Sequence, residues 1–114
     1  MKYMMLINLG PVARDWKSLP KEDQKAIAAG WKLINDTPGV TPGAGLQPPE
    51  TATTVRVHDG QTLTTDGPFV ETKEALDGYF MFEADDLDAA IELAARVPAT
   101  SAGGAIEIRP IQEW

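Results

Sequence analysis

Cysteine is absent from the 114 residues, histidine occurs once, and the ten Lys and Arg side chains never stand side by side. Without cysteine there is no disulfide and no thiolate nucleophile, a pattern that fits a reducing compartment. One histidine and no cysteine also remove the common zinc and other transition-metal frameworks, leaving carboxylates able to bind Mg²⁺ or Ca²⁺ only weakly. No metal and no cofactor is therefore expected. Scattered basic residues in a chain of net charge −7 oppose binding to a phosphate backbone, which needs clustered Lys and Arg. Nucleic acid is not an expected partner. No run approaches the roughly 20 apolar residues that span a bilayer, and Tyr3–Ile7 is too short for the apolar part of a signal peptide. A cytoplasmic protein with no membrane partner is the expectation. Gly43-Ala44-Gly45 has no helix behind it, so a phosphate-cradling loop is not supported.

A chain of 114 residues and 12.3 kDa is one domain, residues 1–114, that exposes roughly 6,100 Å² when compact. At this size apolar burial and chain ordering nearly cancel, and a second subunit is the available source of further burial.

The pattern along the chain predicts strand, helix, hairpin, strand, helix, strand. Tyr3 to Asn8 reads as a buried strand ended by Gly10-Pro11. A helix follows, with Ser18 as cap, Pro20, Glu22 and Asp23 in its first turn, and Ile27, Trp31 and Ile34 as its core stripe. Thr37 to Glu50, with four prolines and three glycines, reads as a surface loop. Thr53 to His58 alternates, with Val55 and Val57 on one side, and Asp59-Gly60 is a two-residue hairpin turn that returns the chain over Gln61 to Thr65. Asp66-Gly67-Pro68-Phe69 breaks that strand. Gly78 to Ala84 places Tyr79 and Met81 on one face and Phe80 and Phe82 on the other, so both faces call for cover. Asp85 or Asp86 caps a second helix with a stripe of Leu87, Ala90, Ile91 and Ala94. Ala105 to Pro110 is the last strand, with Ile106 and Ile108 inward and Glu107 and Arg109 opposite.

This order implies an α+β fold, a ferredoxin-like antiparallel sheet with two helices on one face and an added hairpin. The other sheet face then carries apolar side chains with nothing over them. A symmetric homodimer with sheets face to face, a dimeric α+β barrel, covers them economically.

Asp66-Gly67-Pro68-Phe69, Glu71, Lys73-Glu74 and Gly78-Tyr79 resemble the signature of the DGPF branch of the YCII-related family. Leu46-Gln47-Pro48, Thr53-Thr54-Val55-Arg56, Ile106-Glu107-Ile108-Arg109-Pro110 and the opening Lys2-Tyr3-Met4 extend the resemblance over nearly the whole chain. It implies a ferredoxin-like fold assembled as a dimeric barrel, with a largely unassigned activity. It also implies, for the wider group, a His–Asp pair whose histidine follows the first strand. This chain departs from that pattern: Asn8 to Trp16 holds no histidine, and His58 lies in the hairpin. The branch's association with extracytoplasmic-function sigma factors implies a regulatory or stress context.

The residues left to carry chemistry are carboxylates, Lys73 and Arg109. Asp66 either caps its own turn or serves as a general base or anchor at a cleft mouth. Phe69 is a core or ligand-stacking aromatic. Glu71, Lys73 and Glu74 form either a solvated face or a binding loop, in which Lys73 takes an anionic group and Glu71 orients it. Glu107 and Arg109 read as a cross-strand ion pair, or Arg109 as a bidentate carboxylate binder in a dimer's internal cavity. His58 is expected in solvent, Trp31 in the core, and Trp114 at a subunit interface. The leading expectation is a homodimer binding a small organic molecule between sheet and helices, with cofactor-free acid–base chemistry if it is an enzyme. The alternative is a non-catalytic regulatory or interaction module linked to a sigma factor or stress response.

Overall fold

The computed structural model describes residues 1–67 and 76–113. The first apolar run forms strand β1 (Lys2–Asn8). Its pleat sends Tyr3, Met5 and Ile7 into the core and leaves Met4 and Leu6 half-buried on the other face. A short helix, α1 (Gly10–Arg14), and a 3-10 turn, Trp16–Ser18, come next. Helix α2 (Lys21–Asn35) follows with Glu22 and Asp23 in its first turn, as expected. Ser18 does not cap it. The 3-10 turn consumes Ser18, whose N–H donates to the Asp15 carbonyl at 3.1 Å, and Pro20 stands at the N-cap with no side-chain bond. Ile34 is buried, while Trp31 meets Phe80 edge to face with ring centroids 6.3 Å apart.

The stretch expected as a loop contains strand β2 (Val40–Gly45). It is an edge strand, where proline is tolerated because one side of the ladder needs no donor. Pro42 falls inside an irregularity between Thr41 and Ala44. There a Cβ on Gly43 would run into the Tyr79 carbonyl, so the glycine permits the approach of the two backbones. Composition signalled a loop because edge placement cannot be read from composition.

Strands β3 (Thr53–His58) and β4 (Gln61–Asp66) pair in register around Asp59 and Gly60, both with positive φ, 49° and 75°. These angles match the type I′ turn that the Asp-Gly sequence favours. The ladder runs one residue beyond expectation. Asp66 is paired with Thr53 and lies in the strand, not in a turn.

Strand β5 (Gly78–Glu83) buries Phe80 and Phe82. Helix α3 (Leu87–Ala95) is capped by Asp86, whose side chain accepts from the Ala89 N–H at 2.9 Å. Its buried ridge is Ala90, Leu93 and Ala94, an i, i+3, i+4 set, and Val97 is buried just beyond its end. Leu87 and Ile91, expected in the stripe, are half exposed on its flank. Pro98 opens a further short helix, α4 (Pro98–Ser101), and β6 (Ala105–Pro110) closes the fold.

The sheet order is β2-β5-β1-β6, with every neighbouring pair antiparallel. Ile34, Ala90, Leu93 and Val97 all pack with Tyr3, Met5, Ile7, Phe80 and Phe82 in one cluster, so α2 and α3 cover the same face. That is a ferredoxin-like α+β arrangement, with β3–β4 as a separate two-stranded sheet inserted before β5. The opposite face of the main sheet carries Met4, Leu6, Tyr79 and Met81, flanked by Glu107 and Arg109. Register fixes this grouping, because Leu6 pairs with Tyr79 and Glu107, and Met4 with Met81 and Arg109. Nothing in the chain's described residues forms a layer over it. In a single chain, then, β5 is covered on one side, not two. The extents, 48 × 41 × 19 Å, and the radius of gyration, 16.0 Å, describe a thin and spread molecule, compared with roughly 13 Å for a compact domain of this length.

Candidate functional site

Where α2 crosses β5 and β2, a cleft of about 180 Å³ opens between helix and sheet. Trp31 and Asn35 line it from the helix, Ile7, Tyr79 and Phe80 from the sheet, and Pro42 to Gly45 from the irregular edge strand. The Trp31 and Phe80 side chains thus face a stretch of backbone bare of large side chains. The edge contact between Trp31 and Phe80 sets the indole's orientation.

Asp77 lines the same cleft, at the residue before β5. Its side chain is only 4 % exposed, and Arg14 closes on it with Nη2 2.7 Å from Oδ2 and Nε 3.1 Å from Oδ1. The Leu9 N–H donates to Oδ2 at 2.9 Å. A carboxylate so buried requires such donors. Arg14 also donates to Asn8 Oδ1 at 3.2 Å, and that oxygen accepts from the Gly10 N–H at 2.9 Å. The hydrogen bond to Asp77 raises the Arg14 pKa above its ordinary value, against a smaller opposing effect of burial. The backbone of Asp77 is engaged as well: its N–H donates to the Ile7 carbonyl at 2.7 Å and its carbonyl accepts from Leu46 at 2.8 Å. Both carboxylate oxygens are held by N–H donors, so Asp77 anchors the cleft.

Asp66 is exposed at the end of β4 and does not line the cleft. Arg109 lies on the open sheet face with its Nε 3.8 Å from Glu107 Oε2, both side chains well exposed. This pair is between neighbours on one strand and not across strands. Phe69, Glu71, Lys73, Glu74 and Trp114 lie outside the described residues. His58 is exposed, with Nε2 3.3 Å from Asp59 Oδ2. Sequence reasoning missed Arg14 and Asp77. The available signals were slight: an acid directly before an aromatic strand, and a lone arginine after Gly10-Pro11-Val12-Ala13. Nothing periodic links two residues 63 positions apart. Arg14 falls within Asn8 to Trp16, the segment where the resemblance implies a histidine. Among the described residues no group of three His, Cys, Asp or Glu side chains is placed to hold a metal ion, and no helix is long and apolar enough to cross a membrane.

Comparison with known proteins places these features in a family. An uncharacterised protein of Rhizobium meliloti (strain 1021) is 39% identical over 71 residues, 61% of this chain and 57% of that protein. The chain thus matches little more than half the length of that relative. The family model for the YCII-related domain matches residues 1–114, and the chain belongs to the YCII-related family.

Proposed function

We propose that this protein is a cytoplasmic homodimer of the DGPF type that binds a small organic molecule in the cleft between α2 and the β2–β5 edge. The observation that carries the reading is the convergence of Trp31 and Phe80 on a cleft anchored by the buried Arg14–Asp77 pair. Its volume, about 180 Å³, is below the ~300–1,000 Å³ of sites for drug-sized ligands. The fitting ligand class is a planar or single-ring metabolite, stacked on aromatic walls and hydrogen-bonded by Asn35 and exposed backbone. Asp66, Phe69, Glu71, Lys73 and Glu74 belong to the stretch of sequence that leads into Asp77, and in this reading Asp66, Glu71, Lys73 and Glu74 are the candidates for polar contact with the ligand and Phe69 for stacking. The open sheet face of Met4, Leu6, Tyr79 and Met81 meets the same face of a second copy, and Arg109 then borders the space between the two sheets.

The engagement of Asp77 by three N–H donors favours binding over catalysis, and with it the second reading, a non-catalytic regulatory module. If the protein is an enzyme, its acid–base group is Asp66 or a residue of the following loop. A thermal-shift panel of small metabolites tests the binding reading. A ligand present at a hundred times its Kd adds about 2.7 kcal/mol, a rise of several degrees or more for a domain of this size. If no small planar acid, amide or ring compound raises the melting temperature, the binding reading fails. If a ligand binds equally well to Asp66→Asn and Lys73→Ala, those residues are not part of the mouth.

A further inference from the structure

Aspartate stands directly before glycine at three places, Asp59-Gly60, Asp66-Gly67 and Asp77-Gly78. Such a pair can rearrange without an enzyme. The glycine nitrogen attacks the aspartate Cγ, the amide proton and the carboxyl hydroxyl leave together as water, and a five-membered succinimide forms. Water then opens either carbonyl of the ring. Attack at the side-chain carbonyl returns aspartate. Attack at the main-chain carbonyl gives isoaspartate, whose chain runs through the former side chain and whose α-carboxylate hangs free. One water leaves and one returns, and nothing is oxidised or reduced. Glycine is the favourable neighbour because it has no Cβ to crowd the attack. The three pairs are equivalent as sequence and unequal in the fold.

Asp77 is locked in both reacting groups. Its carboxylate is buried with both oxygens held by Arg14 and the Leu9 N–H, and Gly78 is paired with Ile7 on one side and Gly45 on the other. Asp66 has an exposed side chain, but the nitrogen that would attack it is occupied: the Gly67 N–H donates to the Ala52 carbonyl at 2.7 Å. The Gly67 carbonyl accepts from Thr54 Oγ1 at 2.6 Å, so this glycine is fixed from both sides. Asp59 has neither restraint. Its side chain is 89% exposed, and its contact with His58 Nε2 at 3.3 Å joins two solvated groups, a kind of pair that holds weakly. A two-residue turn is closed by the residues on either side of it, here His58 and Gln61, so the Gly60 N–H takes no part in it. To react, Asp59 must swing out of its turn conformation, φ 49°. The hairpin allows this. It is a separate two-stranded sheet, exposed at every residue from 55 to 66; such a pair is marginal by itself in water and opens at low cost.

We propose that Asp59 is the site at which this protein ages to isoaspartate, and that the fold protects Asp66 and Asp77. The change lengthens the main chain by one methylene at the hairpin tip and removes the turn that sets the β3–β4 register.

Peptide mapping tests the assignment. The folded chain and the same chain in guanidinium chloride are incubated side by side at neutral pH, until the unfolded chain carries isoaspartate at all three positions. Electron-transfer fragmentation, which tells isoaspartate from aspartate, then locates it in each peptide. In the folded chain Asp59 is expected to convert at close to its unfolded rate. Asp66 and Asp77 are expected to convert at least roughly tenfold more slowly than in the unfolded chain, because their segments must first open. Methyl transfer onto the free α-carboxylate by an isoaspartyl methyltransferase counts the product independently, and Asp59→Ser is expected to lose nearly all of that label. Isoaspartate as abundant at Asp66 or Asp77 as at Asp59 in the folded chain overturns the proposal. So does label that survives Asp59→Ser, or a folded chain whose Asp59 stays intact while the unfolded chain converts.

Discussion

Replacing Arg14 by alanine is the sharpest test of how the cleft is held. The Asp77 side chain is 4% exposed and that of Arg14 30%, so the substitution takes the partner from a carboxylate that the fold keeps almost wholly buried. Of its three donors only the Leu9 N–H remains. Breaking a buried pair in this way costs about 3–5 kcal/mol, a large share of the roughly 6–17 kcal/mol expected for 114 residues. The reverse substitution, Asp77→Asn, keeps shape and an acceptor for Leu9 and leaves a guanidinium that is partly hydrated. It should cost less, about 1.5–3 kcal/mol. In the Asp77→Asn background the further change Arg14→Ala should cost under about 1 kcal/mol, because no stranded charge remains. Urea unfolding at fixed protein concentration measures all four corners of the cycle. With a slope near 2 kcal/mol per molar, Arg14→Ala moves the midpoint down by roughly 1.5–2.5 M. A loss below about 1 kcal/mol, as for an ordinary surface ion pair, refutes the reasoning. So does additivity of the two substitutions.

Gly43→Ala should push β2 away from β5, since the added Cβ meets the Tyr79 carbonyl, and is expected to lower stability by at least about 2 kcal/mol and to open one wall of the cleft; circular-dichroism melts measure the first and ligand thermal shifts the second. Leu93→Ala removes a fully buried side chain and should cost about 2–5 kcal/mol. Ile91→Lys, on the exposed flank of the same helix, should change stability by less than about 0.5 kcal/mol in the same unfolding assay, and a large loss there would mean that the flank is covered.

Where the residues carry a strict period or a turn signature, the fold was legible in the sequence. β1 follows from its apolar run, β5 from its aromatic stretch, β6 from alternation, the hairpin from Asp59-Gly60, and α2 from the spacing of Ile27, Trp31 and Ile34. The failures share one physical origin, which is that long-range placement overrides local composition. Pro42, Gly43 and Gly45 look like a loop, yet β5 offers them an edge where proline and a missing side chain do no harm. Leu87 and Ile91 are more apolar than Ala90 and Ala94, yet the smaller side chains face the sheet because α3 lies close to it and Leu93 fills the space between. The candidate site was less legible than the fold. Asp66 carries the most recognisable motif but ends an exposed strand, whereas Asp77 and Arg14 carry no local signature and meet only through folding. Aromatic residues were assigned to the core, and Trp31 and Phe80 do pack there. Their second role as cleft walls depends on the irregularity in β2, which no local pattern announced.

The homodimer proposed above makes one copy of this chain half of the working molecule, with the open sheet face of Met4, Leu6, Tyr79 and Met81 covered by another. Light scattering on the natural chain at micromolar concentration tests it most directly. The account predicts a scattering mass of twice 12.3 kDa; a folded species of 12.3 kDa at that concentration would contradict it.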